Sequence, residues 1–281
     1  MTTLHQINER LKAFAAERKL DFNEAKIVLA LERLMARLQT DKRLSKHLVF
    51  KGGFILLKIF GSSRFTRDLD ALASKIEVKE LIERVKKSIL VDLEDQFWFG
   101  DEKQEDLVPD DPYGTVRFNI AFQLGEKPIS SKIKKLSRIH LDIGFSDVVT
   151  PEPEPQQLNS LVPTLPIIWA TIYPIETVIA EKLEAFVSRE SLNSRAKDIL
   201  DLVNFLPNNL KSADLSRAIK KTFENRKTEI PRSFRAFAED LNLTSLKSAW
   251  PSVKNLSGKI AFEDLWAQFL KILDQLDKEL E

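Results

Sequence analysis

Over the first 48 residues apolar side chains recur every three or four positions. Ile27, Val28, Leu31, Leu34, Met35 and Leu38 share one helical face, and Asp21 with Glu24 three positions later forms the reciprocal pair that caps a helix start. The spacing predicts a packing helix. The pattern breaks at Lys51-Gly52-Gly53, between the apolar pair Val49-Phe50 and the run Phe54 to Phe60, which reads as a tight turn into another helix. Asp68-Leu69-Asp70 follows as a short strand, and Ile76 to Val91 as an amphipathic helix.

From Gln96 to Gly144 the period shortens towards two. Gln96 to Phe99 begins it. Between Thr115 and Leu124, Val116, Phe118, Ile120 and Phe122 alternate with polar partners. Between Ile139 and Phe145, the residues Ile139, Leu141, Ile143 and Phe145 take one face of a strand, and His140 and Asp142 take the other. Thr150 to Pro166 then holds five of the twelve prolines, which excludes regular helix and a central strand and marks a semi-rigid connector at a domain boundary. From Pro174 the periodicity is helical to the end, punctuated by Pro207, Pro231 and Pro251, with no internal repeat. The pattern predicts an α/β domain with N-terminal helices over residues 1–165 and an all-helical domain over 166–281, with a cleft between them.

Composition narrows the class. A chain of 281 residues with 43% hydrophobic content can bury real cores and is not a disordered tail. The absence of cysteine excludes disulfides, thiol catalysis and cysteine-ligated zinc. The first twenty residues are too charged for a signal peptide, and no apolar run approaches the roughly 20 residues of a membrane helix, so the expectation is a soluble, cytoplasmic protein without membrane association. The net charge of +1 conceals segregation: nine acids and one lysine between Asp92 and Asp111, five bases and no acid between Lys127 and Arg138, and eight bases against three acids between Lys211 and Arg235. Basic blocks suit a phosphate backbone, although solvated faces that merely aid solubility have the same composition.

The candidate chemistry begins at the glycine turn. Gly52 and Gly53 let backbone N–H groups approach an anion at a helix start, with Lys51 beside them. Strand alternation places Asp68 and Asp70 on one face, and two carboxylates there suit Mg²⁺ (or Mn²⁺), which favours oxygen ligands. Asp142 is the candidate third ligand. In the helix that starts at Ile175, Lys182 projects from within the apolar stripe of Val178, Ile179, Leu183 and Phe186, where it must snorkel, pair with an acid or face a site. Arg195 precedes Ile199, Leu202 and Leu206 at helical spacing, which predicts a buried guanidinium within reach of Asp198, while Lys197 and Asp201 form an outward i,i+4 pair. A bridge that only packs helices is the structural alternative for both cations. Arg64 and Arg67, just ahead of the aspartates, could neutralise phosphate charge, although isolated arginines are more often surface charges. His5, His47 and His140 are too scattered for a metal cluster, and His140 reads as a wall residue. No nucleophile elbow or Walker A sequence is present. A glycine turn, a D-x-D strand fifteen residues after Gly53 and a lone aspartate on a later strand suit nucleotidyl transfer from an NTP, in which Asp68 and Asp70 hold the nucleotide metal, Asp142 completes a second metal site, and Lys182 and Arg195 offset the pentavalent charge.

These stretches, FKGGFILLKIFG followed by RFTRDLDAL, then HLDIGFSDVVTPEPE, ETVIAEKLEAFVSR and SRAKDILDL, resemble the AbiEii-type nucleotidyltransferases, the MenT-like toxins of type IV toxin-antitoxin systems within the DNA polymerase beta-like superfamily. The resemblance spans about residues 20 to 210. It implies the mixed-sheet α/β (α+β) nucleotidyltransferase fold, an NTP- and Mg²⁺-dependent enzyme that adds nucleotides to RNA at the tRNA 3′ end or otherwise blocks growth, and an AbiEi-type antitoxin as cognate partner. It carries site roles onto Gly52, Gly53, Asp68, Asp70, Asp142, Lys182, and Lys197 with Asp198. One departure is Phe54, where the family commonly has Thr or Ser after the paired glycines; it removes a hydroxyl from the turn. That departure motivates an alternative, a non-catalytic nucleotide- or partner-binding module. A further alternative is transfer to a protein hydroxyl or a small molecule.

Overall fold

A computed structural model describes residues 2–62, 64–105, 114–254, 258 and 260–280. In chain order the elements are α1 (Leu4–Arg18), α2 (Phe22–Thr40), α3 (Lys42–His47), β1 (Leu48–Lys51), α4 (Gly52–Lys58), β2 (Asp68–Ala73), α5 (Val78–Ile89), β3 (Phe97–Glu105), β4 (Thr115–Leu124), β5 (Arg138–Gly144), β6 (Glu154–Leu158) and β7 (Ile168–Ile172). Helices follow: α6 (Ile175–Arg189), α7 (Ala196–Phe205), α8 (Ala213–Arg226), α9 (Phe234–Glu239), α10 (Thr244–Ala249) and α11 (Phe262–Leu280), with short 3-10 turns at Ser130–Lys135, Glu190–Leu192 and Trp250–Ser252.

The chain divides into two compact units. The first comprises Met1–Gly61, Phe65–Ser146 and Pro155–Ile172; the second comprises Ser62–Arg64, Asp147–Glu154 and Tyr173–Glu281. The first unit therefore runs seven residues beyond 165, because β7 joins the sheet as a parallel neighbour of β1, with Phe50 opposite Ile172. A five-residue strand whose neighbour in space lies more than a hundred positions earlier leaves little trace in local periodicity. The proline-rich connector holds β6, and its Pro155 is tolerated because β6 is the edge strand, where a missing N–H breaks no ladder.

The first unit is a mixed seven-stranded sheet of order β3-β4-β5-β2-β1-β7-β6. β4 runs antiparallel to both β3 and β5, β2 lies parallel to β5, and β1 is antiparallel to β2. α2 begins as the sequence predicts, with the Asp21 and Glu24 side chains capping each other's backbone N–H, and it packs against β2, β3, β5 and β7. Its Ile27, Val28, Leu31, Leu34, Met35 and Leu38 are buried, beside Leu69, Ala71, Phe118, Ile120, Leu141 and Ile143 from the sheet's apolar side. Two arginines of α2 are buried as well: Arg33 and Arg37 both bond the Asp95 carboxylate, which is 1% exposed. Asp95 thus leaves the acidic block's solvated face, and its positions 106–111 lie outside the described residues. In the second unit α6, α7, α8, α9 and α11 enclose a core rich in leucine and aromatic rings, in which Phe186 meets Phe237 and Phe269 edge-on.

Candidate active site

The opposite side of the sheet is polar, and the alternation along each strand is the reason. On β2, Leu69 and Ala71 are fully buried while Asp68 and Asp70 between and beside them are half-exposed. On β5, Ile139, Leu141 and Ile143 are buried and His140 and Asp142 turn the other way. Parallel pairing sets Asp68 opposite His140 and Asp70 opposite Asp142. The three predicted carboxylates therefore stand on one face of two adjacent strands. β4 extends the row, with Arg117 opposite Asp142 and Asn119 opposite His140.

The glycine turn abuts this row. β1 ends at Lys51, which lies opposite Asp70 and precedes α4 in an extended conformation without a side-chain cap. Gly52 has a φ of +76°, and a Cβ placed on it would stand 1.9 Å from the Asp70 Oδ2. Only glycine fits there, on conformation and on space alike. Gly53 and Phe54 are buried in α4, and Phe54 is fully enclosed in the core, so its ring takes no place on the polar face and the position presents only backbone there.

Direct contacts refine the roles. His140 is more than a wall residue: its Nδ1 lies 3.0 Å from the Asp68 Oδ1. Arg117, absent from the sequence reading, donates from Nε and from a terminal nitrogen to the two Asp142 oxygens at 2.8 and 2.7 Å. That paired bond, aided by the charges of Asp142, Asp68 and Glu105, raises the guanidinium's proton affinity against the opposing effect of partial burial. The alternation between Thr115 and Leu124 already puts Arg117 on the polar face of its strand; its partner depends on register.

Lys182, Arg195, Lys197, Asp198 and Arg64 belong to the second unit. Lys182, on α6 and 12% exposed, donates to Asp198 at 2.6 Å and lies 2.8 Å from Asp201. Arg64 bonds both oxygens of Asp201 at 3.2 Å, and Arg195 bonds the other oxygen of Asp198. Three cations thus share two buried carboxylates. Burial works against the Lys182 ammonium, but Asp198 and Asp201 outweigh it and raise its proton affinity; burial works against the Asp198 carboxylate, and Lys182 and Arg195 outweigh that, holding it well below the usual carboxylate range.

Two expectations are corrected here. Arg195 is 40% exposed, not buried, because it stands just before α7 with non-helical backbone, so helical spacing to Ile199 does not apply to it. Asp201 does not face outward: it is 0% exposed, since its position three after Asp198 puts it on the same inward face of α7. Lys197 is exposed. The basic blocks also divide. Lys127, Lys132, Lys134 and Lys135 are exposed, whereas Arg138 bonds Asp101 and the Asn119 carbonyl. In the later block the Arg226 side chain is largely buried, bonded to Asp147 at 2.7 Å and Glu184 at 2.8 Å, so Asp147 anchors a helix.

Among the described residues no three His, Cys, Asp or Glu side chains converge as a metal's ligands. The donor set still fits a hard divalent cation: Asp68 and Asp70 offer oxygens from one strand face, and Asp142, bonded by Arg117, stands directly across from Asp70.

A mixed sheet that carries a glycine turn and aspartates of this layout, followed by a helical unit, defines a nucleotidyltransferase. The chain belongs to the family described as "Nucleotidyl transferase AbiEii toxin, Type IV TA system", which it matches over residues 33–279. Its fold is similar to that of MenT4, a nucleotidyltransferase toxin from Mycobacterium tuberculosis, with 17% identity over 98% of this chain and 90% of that one at a TM-score of 0.58. It is similar also to JHP933 from Helicobacter pylori, with 18% identity over 89% of this chain and 90% of that one at a TM-score of 0.56. No curated protein sequence matches it. Among the described residues no helix is long and apolar enough to cross a membrane.

Proposed function

We propose that this type IV toxin enzyme transfers nucleotides from an NTP to RNA in the cytoplasm, with the tRNA 3′ acceptor end as substrate, and thereby stops translation and growth; an AbiEi-type antitoxin is its expected counterpart. The observation that carries the reading is the row of Asp68, Asp70 and Asp142 on one sheet face, with Gly52 pressed against Asp70. Asp68 and Asp70 would hold Mg²⁺ or Mn²⁺ with the nucleotide, and Asp142 would join them. Such an ion, when bound, polarises the phosphate oxygens and offsets the developing charge. The backbone N–H groups at Gly52 and Gly53, with Lys51, receive the phosphates. The acceptor's 3′ hydroxyl attacks the α-phosphorus, its proton passes to a carboxylate oxygen of Asp142, and pyrophosphate leaves. His140 holds the Asp68 carboxylate in a fixed rotation through its 3.0 Å contact. Lys182 and Arg195, which the helical spacing singles out, would offset the charge that develops on the phosphates. The exposed lysines at 127, 132, 134 and 135 suit the backbone of an RNA acceptor.

The purified protein, incubated with each labelled NTP, Mg²⁺ and total tRNA, should label tRNA, and Asp68→Ala should abolish the label. Label in protein instead would redirect the reading to a protein hydroxyl. No label and no NTP binding would replace it with a binding module.

A further inference from the structure

Edge strand β3 opens with three aromatic residues in a row, and alternation sends them to different faces. Phe97 and Phe99 are buried on the apolar side, where both pack with Phe122. Trp98 between them is partly exposed and stands opposite Gln123 of β4, on the face that carries Arg117, Asn119 and the aspartate row. Its indole lies back over Gly100: a Cβ at position 100 would stand 2.6 Å from the ring's Cζ2 and 2.9 Å from its Cη2, so glycine leaves room for the ring. The backbone on either side is strained, with a φ of +64° at Gln96 and +45° at Asp101, and the β3–β4 register shifts between Gly100 and Lys103. Arg138 bonds the Asp101 carboxylate at 2.8 Å and the carbonyl of Asn119, which stands opposite His140.

An exposed aromatic ring on a sheet face stacks nucleobases, because every base has a π face. Trp98 lines a cavity of about 470 Å³ together with Gln96 and Lys127, and the β4–β5 connection at this end of the sheet also carries Lys132, Lys134 and Lys135, all exposed. Asp92 and Glu94 line the cavity as well; they repel phosphate but accept hydrogen bonds from base amino groups. Gly100, under the ring, lies three strand spacings and two residue steps from Asp68, roughly 15 Å, and four spacings, roughly 19 Å, from the glycine turn that ends β1. That span is too long for the base of a nucleotide whose phosphates rest on the turn, and it suits a nucleotide of the acceptor upstream of its reacting 3′ end. We propose that Trp98 is a stacking platform for one nucleobase of the RNA acceptor, and that it sets a requirement for an unpaired base at that place. This rests on the nucleotidyl-transfer reading of the aspartate row.

Intrinsic fluorescence and transfer kinetics on the full chain test this. Trp98 is one of four tryptophans, and a stacked base quenches indole emission, so a short RNA with an unpaired 3′ end should quench wild type and leave Trp98→Phe unchanged. In transfer from labelled NTP to tRNA, Trp98→Ala should raise the KM for RNA about tenfold, with kcat and the KM for NTP little changed. Trp98→Phe, which still stacks, should stay near wild type. Trp98→Leu covers Gly100 without a π face, should behave as the alanine variant does, and serves should that variant fold poorly. Among RNAs with a single abasic site at successive positions from the 3′ end, one should reproduce the Trp98→Ala effect in wild type and have no further effect in the variant. A ring that only covers Gly100 would change Tm and leave the KM for RNA where it is. An unchanged KM for RNA in both Trp98→Ala and Trp98→Leu, or equal quenching in Trp98→Phe, with tRNA labelled by wild type, overturns the proposal and spares the reading beneath it. Quenching that depends on Trp98 without labelling by wild type keeps the stacking site and overturns the transfer reading; neither quenching nor labelling overturns both.

Discussion

Alanine in place of Gly52 strikes the turn and the metal-binding face through one methyl group, and the structure separates the two effects. The first is conformational: Gly52 has a φ of +76°, and an L-residue held there costs about 1–2 kcal/mol. The second is steric. The new Cβ would lie 1.9 Å from the Asp70 Oδ2 and 2.6 Å from its Cγ, so the carboxylate must retreat by more than about 1 Å, a misplacement that typically costs about 100-fold in rate. Gly61 supplies the control, with a φ of +72° and nothing within 4 Å of an added Cβ. Both variants should lose about 1–2 kcal/mol, read as a fall of about 2–4 °C in Tm per kcal/mol by scanning calorimetry. Only Gly52→Ala should also lose about 100-fold in single-turnover nucleotide transfer and weaken Mn²⁺ binding. Equal transfer rates and equal Mn²⁺ affinities in the two variants would refute the argument that Gly52 exists to leave room for Asp70.

Asp201→Ala removes the carboxylate shared by Lys182 and Arg64, and loss of one partner from a buried pair should cost about 3–5 kcal/mol by denaturant unfolding, whereas Arg195→Ala, at a 40% exposed side chain, should cost under about 1 kcal/mol while slowing transfer. An Asp201→Ala protein as stable as wild type would show that the cluster is not structural. The Asp198 carboxyl, set low by Lys182 and Arg195, contributes stability that is complete above the ordinary carboxylate range near about pH 4 and drains away as pH falls towards its lower folded value; Asp198→Asn should flatten that acid limb of the unfolding curve. Lys182 acts at the other end, since its raised value in the folded state keeps its contribution whole below about pH 10.4 and loses it as the pH climbs further, and Lys182→Met should flatten the alkaline limb. Phe54→Ser restores the hydroxyl expected after paired glycines, but Phe54 is 0% exposed, so the change should cost about 3–5 kcal/mol in stability without tightening NTP binding; tighter NTP binding at unchanged Tm would overturn that reading.

Local pattern alone determined much of this molecule. A period of 3.6 located α2 and α6, with α6 running from Ile175 to Arg189 as the apolar stripe predicts, and a period of two located β4 over Thr115–Leu124. The Asp21 cap, the glycine turn and the shared faces of Asp68 with Asp70 and of His140 with Asp142 depend on neighbours within a few positions, so they are legible in sequence. What local pattern does not carry is pairing between segments. Which residue stands across from Asp142 is a matter of strand register, and β4 brings Arg117 to it across twenty-five positions of chain. The same holds for Asp201, whose inward face depends on where α7 begins, and that start after Arg195 is set by backbone conformation rather than by apolar spacing. β6 and β7 are strands because an edge of the sheet waits for them, not because their own residues alternate strongly. The sequence therefore named the carboxylates, and the tertiary structure decided their partners: a side chain's direction follows from its own backbone, while its neighbour follows from the hydrogen-bonded register of distant strands.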